Sequence, residues 1–280
     1  MDRFDWAIDN QEITLANEYD KSVVGIDTLS YEKLIGVEFP GSEFISVQPG
    51  QDSLRFFAFR ARYNLKTNVI NAEEVKIIKV ADAAIFPSDG KVCILKNAQM
   101  KPLEHAGIIA NTTTRYHRFY NANVSVASRN KYTASASYDY LDRENEAFPI
   151  RFSSMAVDTN GQTVGKGYIS DSIPFRLSPE FAYKGNVYLR AAEKNLGFDG
   201  GFRPVTDCFS ELNTHTQFIS VIDPAHVQIP LSQPTREMNS EKLTLGILFS
   251  NTRNVLYPAF FSRQKSFSDS LIATAQGVIE

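Results

Sequence analysis

The clearest signal along the chain is strict alternation of apolar and polar positions. Residues 115–127 place Tyr116, Arg118, Tyr120, Ala122, Val124 and Val126 on one side, and His117, Phe119, Asn121, Asn123 and Ser125 on the other. After Ser128-Arg129-Asn130 the alternation resumes with Tyr132, Ala134, Ala136, Tyr138 and Tyr140. A period of two belongs to a strand with one covered face, so 115–140 reads as a long β-hairpin. Leu243, Leu245, Ile247 and Phe249 alternate in the same way and open a second hairpin, 241–261. Phe57, Phe59, Ala61 and Tyr63 alternate with Arg60 and Arg62, while Val75, Ile77, Ile78 and Val80 read as a strand buried on both sides.

Further strands are expected at 12–16, 43–48, 91–96, 150–156, 163–169, 186–192, 217–222 and 226–231. Turn residues punctuate them: Pro49-Gly50, Ser88-Asp89-Gly90, Asp158-Thr159-Asn160-Gly161 and Asp223-Pro224. Helices are expected to be few and short. Ser178-Pro179-Glu180 offers an N-cap with Pro at the first helical position, and Asp207 a cap for a turn through Leu212. Residues 268–276 fit a final helix or an edge strand.

This pattern predicts an all-β protein of the antiparallel β-sandwich or jelly-roll type. The two long hairpins lie about half a chain apart, and the polar run Leu141-Asp142-Arg143-Glu144-Asn145-Glu146 sits between them as a linker. The expected organisation is two stacked sandwich halves, 1–140 and 141–280. In layout alone, with no motif in support, such a pair resembles the double jelly-roll coat subunits of tailless double-stranded DNA phages. The expected core includes Phe57, Phe59, Tyr120, Val124, Val126, Ala134, Leu243, Leu245, Ile247 and Phe249.

Composition adds two points. The 280 residues hold 20 Phe and 12 Tyr but a single Trp, Trp6, an aromatic load that suits pleated, half-buried surfaces. Charge is unevenly placed: residues 1–54 carry a net of −8, residues 55–140 a net of +7, and the remainder a net of −2. An acidic first segment beside a basic body implies contact between them, within one chain or between neighbours. Residues 1–20 are expected to pack against a neighbouring subunit. The N-terminus has no secretory pattern and no stretch is long and apolar enough to span a bilayer. Cys93 and Cys208, each among apolar neighbours, read as buried free thiols.

Chemistry is hard to find. His105, His117, His215 and His226 have no partner at metal-ligand spacing, and HExxH, CxxC, GxSxG and SxxK are missing. A cross-strand meeting of His215 and His226 with Cys208 or Asp223 is the one conceivable cluster. Gly197-Phe198-Asp199-Gly200-Gly201-Phe202 lacks the Lys-Ser/Thr of a phosphate loop and reads as a surface turn flanked by two aromatics. Glu144 and Glu146 are a carboxylate pair by proximity alone. Arg55, Arg60, Arg62 and Lys66 interleaved with Phe56, Phe57 and Phe59 have the composition of a single-stranded nucleic-acid platform, without a contiguous basic tract.

The expectation is therefore a structural protein rather than an enzyme, with no catalytic, cofactor-binding or metal residue and no cofactor. A viral or phage particle subunit comes first, a coat protein before a tail or baseplate component. It would assemble with itself as a trimer or higher oligomer, contact other virion proteins, and touch nucleic acid weakly or indirectly. Its location would be the virion, after assembly in the host cytoplasm. The competing reading is a carbohydrate-binding or carbohydrate-active β-sandwich displaying Tyr116, Tyr120, Tyr132 and Tyr138.

Overall fold

A computed structural model describes residues 3–17, 25–39, 41–205, 214–231 and 234–280. In chain order the strands begin β1 (Arg3–Ala7), β2 (Glu12–Ala16), β3 (Ser42–Ile45), β4 (Arg55–Ala58), β5 (Arg60–Asn64), β6 (Val69–Glu73), β7 (Ile78–Val80) and β8 (Ala83–Phe86). They continue as β9 (Val92–Ile94), β10 (Leu103–Ala110), β11 (His117–Ser128), β12 (Lys131–Leu141), β13 (Ala147–Val157), β14 (Thr163–Ile169), β15 (Arg176–Ser178) and β16 (Phe181–Arg190). The last are β17 (Leu196–Pro204), β18 (Thr216–Ile222), β19 (Ile229–Leu231), β20 (Thr244–Ser250), β21 (Val255–Ser262), β22 (Ser270–Thr274) and β23 (Gly277–Ile279). Helix among the described residues is confined to single turns, such as α1 (Tyr31–Leu34). The protein is all-β, built from antiparallel sheets of the sandwich class.

The largest sheet has eleven strands in the order β18-β17-β16-β14-β13-β12-β11-β10-β8-β7, with β15 beside β16. It is a meander in which most strands pair with the next in sequence. Short polar turns make this possible. Asp158 Oδ1 accepts from the backbone of Asn160 (2.8 Å) and Gln162 (2.9 Å), and Gly161 supplies a φ of 75°. A second sheet runs β1-β2-β5-β6-β9, a third β21-β20-β22, and β3-β4 and β19-β23 form pairs.

The chain divides into two compact units. One comprises Met1–Tyr138, Arg151–Gly165 and Arg190–Lys194; the other comprises Asp139–Ile150, Lys166–Leu189 and Asn195–Glu280. In the first unit Phe119, Tyr138 and Phe152 form a ring cluster, with Phe119 and Phe152 edge to face at 5.5 Å. A second cluster packs Ile26, Leu34, Phe59, Phe86 and Ile109 under α1. Beside them Thr163 donates its N–H (3.0 Å) and its hydroxyl (2.6 Å) to the Asp82 carboxylate. That commits the Thr163 proton, so the buried Tyr132 hydroxyl donates to Thr163 Oγ1 at 2.7 Å. Burial pushes the Tyr132 phenol far above its ordinary pKa. In the second unit a chain of rings links Phe148, Phe175, Tyr140 and Phe198 to Tyr183, Phe218, Phe202 and Phe261. Edge-to-face contacts dominate, the geometry that ring quadrupoles favour.

Several expectations change. The hairpin 115–140 is present, but its alternation switches faces. A β-bulge falls at Tyr120–Asn121, where Asn121 has a φ of 48°. Before it His117 and Phe119 point inward, and after it Ala122, Val124 and Val126 do, leaving Tyr120 exposed. The hairpin 241–261 does the same near Gly246, where the β20–β21 register shifts. Leu243, Leu245 and Leu248 are buried, Phe249 is half-buried, and Ile247 is exposed. The expected strand 57–63 is two strands broken at Phe59, β4 paired with β3 and β5 paired with β2; Phe57 is half-buried.

Residues 141–146 are a tight hairpin turn and not a linker. Asp142 Oδ1 accepts from the N–H groups of Glu144 (2.8 Å) and Glu146 (2.9 Å). Ser178-Pro179-Glu180 turns between β15 and β16 instead of starting a helix. Residues 270–274 form β22, the strand alternative. Gly197–Phe202 lies inside β17 with both phenylalanines buried, so it is not a surface turn. Cys93 is half-buried, and the Asp207–Leu212 turn and Cys208 lie outside the described residues. Since Leu245 is buried, Leu245→Ala is expected to lower stability by about 2–5 kcal/mol in urea unfolding; a change under about 1 kcal/mol would contradict its place in the core.

Candidate functional site

The residues suspected of chemistry do not converge. His215 precedes β18 and His226 follows it, so a seven-residue strand spanning roughly 20 Å stands between them. His226 donates its backbone N–H to Asp223 O at 3.0 Å. Among the described residues no group of three His, Cys, Asp or Glu is placed to hold a metal ion. Glu144 and Glu146 are exposed in their turn.

His117 is fully buried. Its Nε2 lies 2.7 Å from Glu193 O and must donate to that carbonyl, which leaves Nδ1 bare and without a partner. Burial holds its pKa below the ordinary value, opposed by the Glu193 bond. His215 is lowered further, to about 4, by burial first and then by the Lys184 and Arg203 charges, with Asp171 opposing. The unfolded chain takes up this proton near pH 6.5 while the folded chain waits until about pH 4. His215 therefore costs nothing above pH 6.5 and destabilises the fold progressively as pH falls towards 4. His215→Gln is expected to be more stable relative to the parent at pH 4.5 than at pH 7; an equal difference at both values would contradict this reading.

A concavity of about 600 Å³ lies on the polar face of the five-stranded sheet. Arg62, Asn71, Glu73 and Cys93 form its floor, and Pro87–Asp89, Lys91 and Lys101–His105 its walls. Arg62 is paired with Glu73 at 2.8 Å, and Ser88 Oγ donates to Glu104 O at 3.2 Å. Arg62, Lys91 and Lys101 are balanced by Glu73, Asp89 and Glu104, so neither sign of ligand is selected. His105 sits at a bulge with a φ of 53°. Cys93 and His105 both line the cleft, and no hydrogen bond joins them.

The basic and aromatic set of residues 55–66 is divided between the core and intramolecular ion pairs. Phe56 and Phe59 are core residues, Arg55 pairs with Glu43 at 3.4 Å, and Arg60 pairs with Glu74 at 3.6 Å. The charge asymmetry is partly met within the chain. Glu32 of the acidic segment faces Arg118 at 3.8 Å, and its carbonyl accepts from Arg115. Of the four tyrosines proposed for sugar stacking, Tyr132 is buried and Tyr138 packs against Phe119 and Phe152, leaving Tyr116 and Tyr120 exposed.

The strongest surface feature is an uncovered apolar face. Cross-strand partners share a side of a sheet, so the register places Phe4 and Trp6 with Leu15 and Ile13, then Ala61 and Tyr63, Ala72 and Ile70, and Val92 and Ile94. All ten are apolar or aromatic. The opposite side carries Arg3, Asp5, Thr14, Arg60, Arg62, Asn71 and Glu73. The apolar side is closed over Ala61, Ala72 and Val92 but open towards the edge strand β1, where Phe4 is 53% and Trp6 58% exposed. The alternation of Phe4 and Trp6 among charges was the available signal, too short to register as a strand. Residues 3–16 are thus a sheet layer, β2 being hydrogen-bonded to β5. No helix among the described residues is long and apolar enough to cross a membrane. Comparison with protein-family models, with curated proteins and with solved structures finds no match.

Proposed function

We propose that this chain is a structural subunit of a self-assembling particle, of the viral or phage coat kind, and that it works by binding further copies of itself rather than by catalysis. The observation that carries the reading is the open apolar face at β1, where an edge strand displays Phe4 and Trp6 to solvent. A strand edge with free backbone groups and exposed aromatics is a liability in a lone molecule and an asset in an assembly. The charge balance of the cleft, which selects neither sign of ligand, agrees with it. A shell is preferred to a tail or baseplate component, on the layout resemblance alone.

Light scattering across a concentration series, with negative-stain microscopy of the same samples, tests the proposal. Trimers or larger closed objects are the expected result. A strict monomer at high concentration with no ordered objects would overturn it. Replacing Phe4 and Trp6 together with serine is expected to weaken assembly while changing stability by no more than about 0.5 kcal/mol per site, since both are exposed.

A further inference from the structure

A second uncovered face lies elsewhere, on the three-stranded sheet. Leu245, Leu248, Ala259 and Phe261 cover its inner side, with Phe261 edge to face on Phe202 at 5.5 Å. Its outer side follows from the register. Ile247 stands opposite Pro258 and Ala273, and Phe249 stands opposite Leu256. Phe260 continues the β21 row. No charge interrupts these six positions. Ile247 is 44%, Leu256 63% and Phe260 46% exposed.

We infer that the outer face of β20–β22 is a contact between two copies of this chain, packed sheet against sheet about a two-fold axis. Three features point to a second copy. The first is area. Half-exposed side chains of this size leave apolar surface on the order of several hundred Å², the level at which a contiguous patch marks an interaction site. A stable interface takes on the order of 800 Å² from each partner, so the polar rim of the sheet would have to complete the contact.

The second is charge. Two of the nearby cations are engaged inside the chain: Arg263 pairs with Glu237 at 2.8 Å and also with Glu241, and Lys265 lies 5.1 Å above the Tyr257 ring, while Arg253 lies in the turn at one end of the sheet and not on the face. The six positions of the face itself therefore offer a charged partner nothing to recognise. The third is shape. A sheet with one apolar face is completed by another sheet about 10 Å away. The same face of a second copy matches it in width and composition, which is an isologous contact.

This inference rests on the self-assembly reading and names one of its surfaces. The test is sedimentation and light scattering of the full chain and of Leu256→Asp and Leu256→Ser. Leu256 is largely exposed, so both variants are expected to keep the parent's unfolding transition. Wild type is expected to assemble, and Leu256→Asp to need at least a tenfold higher concentration, with Leu256→Ser between them. A wild type that assembles beside a Leu256→Asp variant that assembles equally well would overturn this inference while leaving the particle reading intact. A wild type that stays monomeric would overturn both. A monomer that co-sediments with phosphatidylcholine vesicles, and loses that in Leu256→Asp, would assign the face to a lipid surface instead.

Discussion

Replacing Gly200 with alanine is expected to destabilise the protein by about 3–4 kcal/mol, at or above the upper end of overpacking costs. Gly200 faces Gly185 across β16 and β17. A Cβ added at Gly200 would lie 2.3 Å from Lys184 O, 2.7 Å from Gly185 Cα and 2.8 Å from the Tyr183 hydroxyl. Two of these are backbone atoms, which move only if the strands part. The Tyr183 hydroxyl occupies the gap that the two glycines leave, and it donates to Asn186 O at 2.6 Å. An aromatic laid over a glycine pair is a known way of covering bare backbone, and it fixes both partners at once. Gly197, three residues earlier on the same strand, is the control. Its added Cβ would meet Tyr188 Cβ at 3.7 Å, an ordinary contact. Gly197→Ala is expected to be neutral or stabilising by up to about 1 kcal/mol through loss of unfolded-state freedom. Urea unfolding of both variants makes the comparison, and equal costs would refute the account.

The class of the fold was legible because long exposed strands alternate. Residues 131–141 and 163–169 show that period and form β12 and β14. Three physical circumstances hid the rest. A β-bulge adds one residue and inverts the faces beyond it, so Tyr120 fell on the wrong side although its strand was right; Ile247 lies where the register against both β21 and β22 shifts, and the strict alternation of β20 breaks there too. Strands buried on both sides carry no alternation: Ala83–Phe86 is buried throughout, and so is β10 from Ala106 onward. Glycine-rich stretches read as turns, yet the glycines of β17 are there because backbone and the Tyr183 hydroxyl approach too closely for a side chain.

The candidate surfaces were less legible than the fold. Cys93 and His105 are twelve residues apart and meet at one cleft only through the path of the chain. The apolar face of the five-stranded sheet draws two residues from each of five strands spread over ninety positions, and no local pattern reveals that.

The 20 Phe and 12 Tyr divide by role, and one residue from each group shows it. Phe152 is fully buried and packs edge to face on Phe119 at 5.5 Å and on Tyr138 at 6.2 Å. Phe152→Ala is expected to cost about 3–5 kcal/mol, because the rings around it are held by three adjacent strands and cannot collapse into the space. Phe152→Leu should recover part of this, since it restores volume without the ring contacts. Phe260 is half-exposed on the outer face of β21, so Phe260→Ala is expected to change monomer stability by about 0.5 kcal/mol or less while weakening association. Unfolding midpoints and assembly concentrations for the two alanine variants would therefore move in opposite patterns. A large stability loss in Phe260→Ala would place that ring in the core of the monomer and remove it from the interface. Stability unchanged in Phe152→Ala would mean that the three-ring cluster does not hold the first unit together.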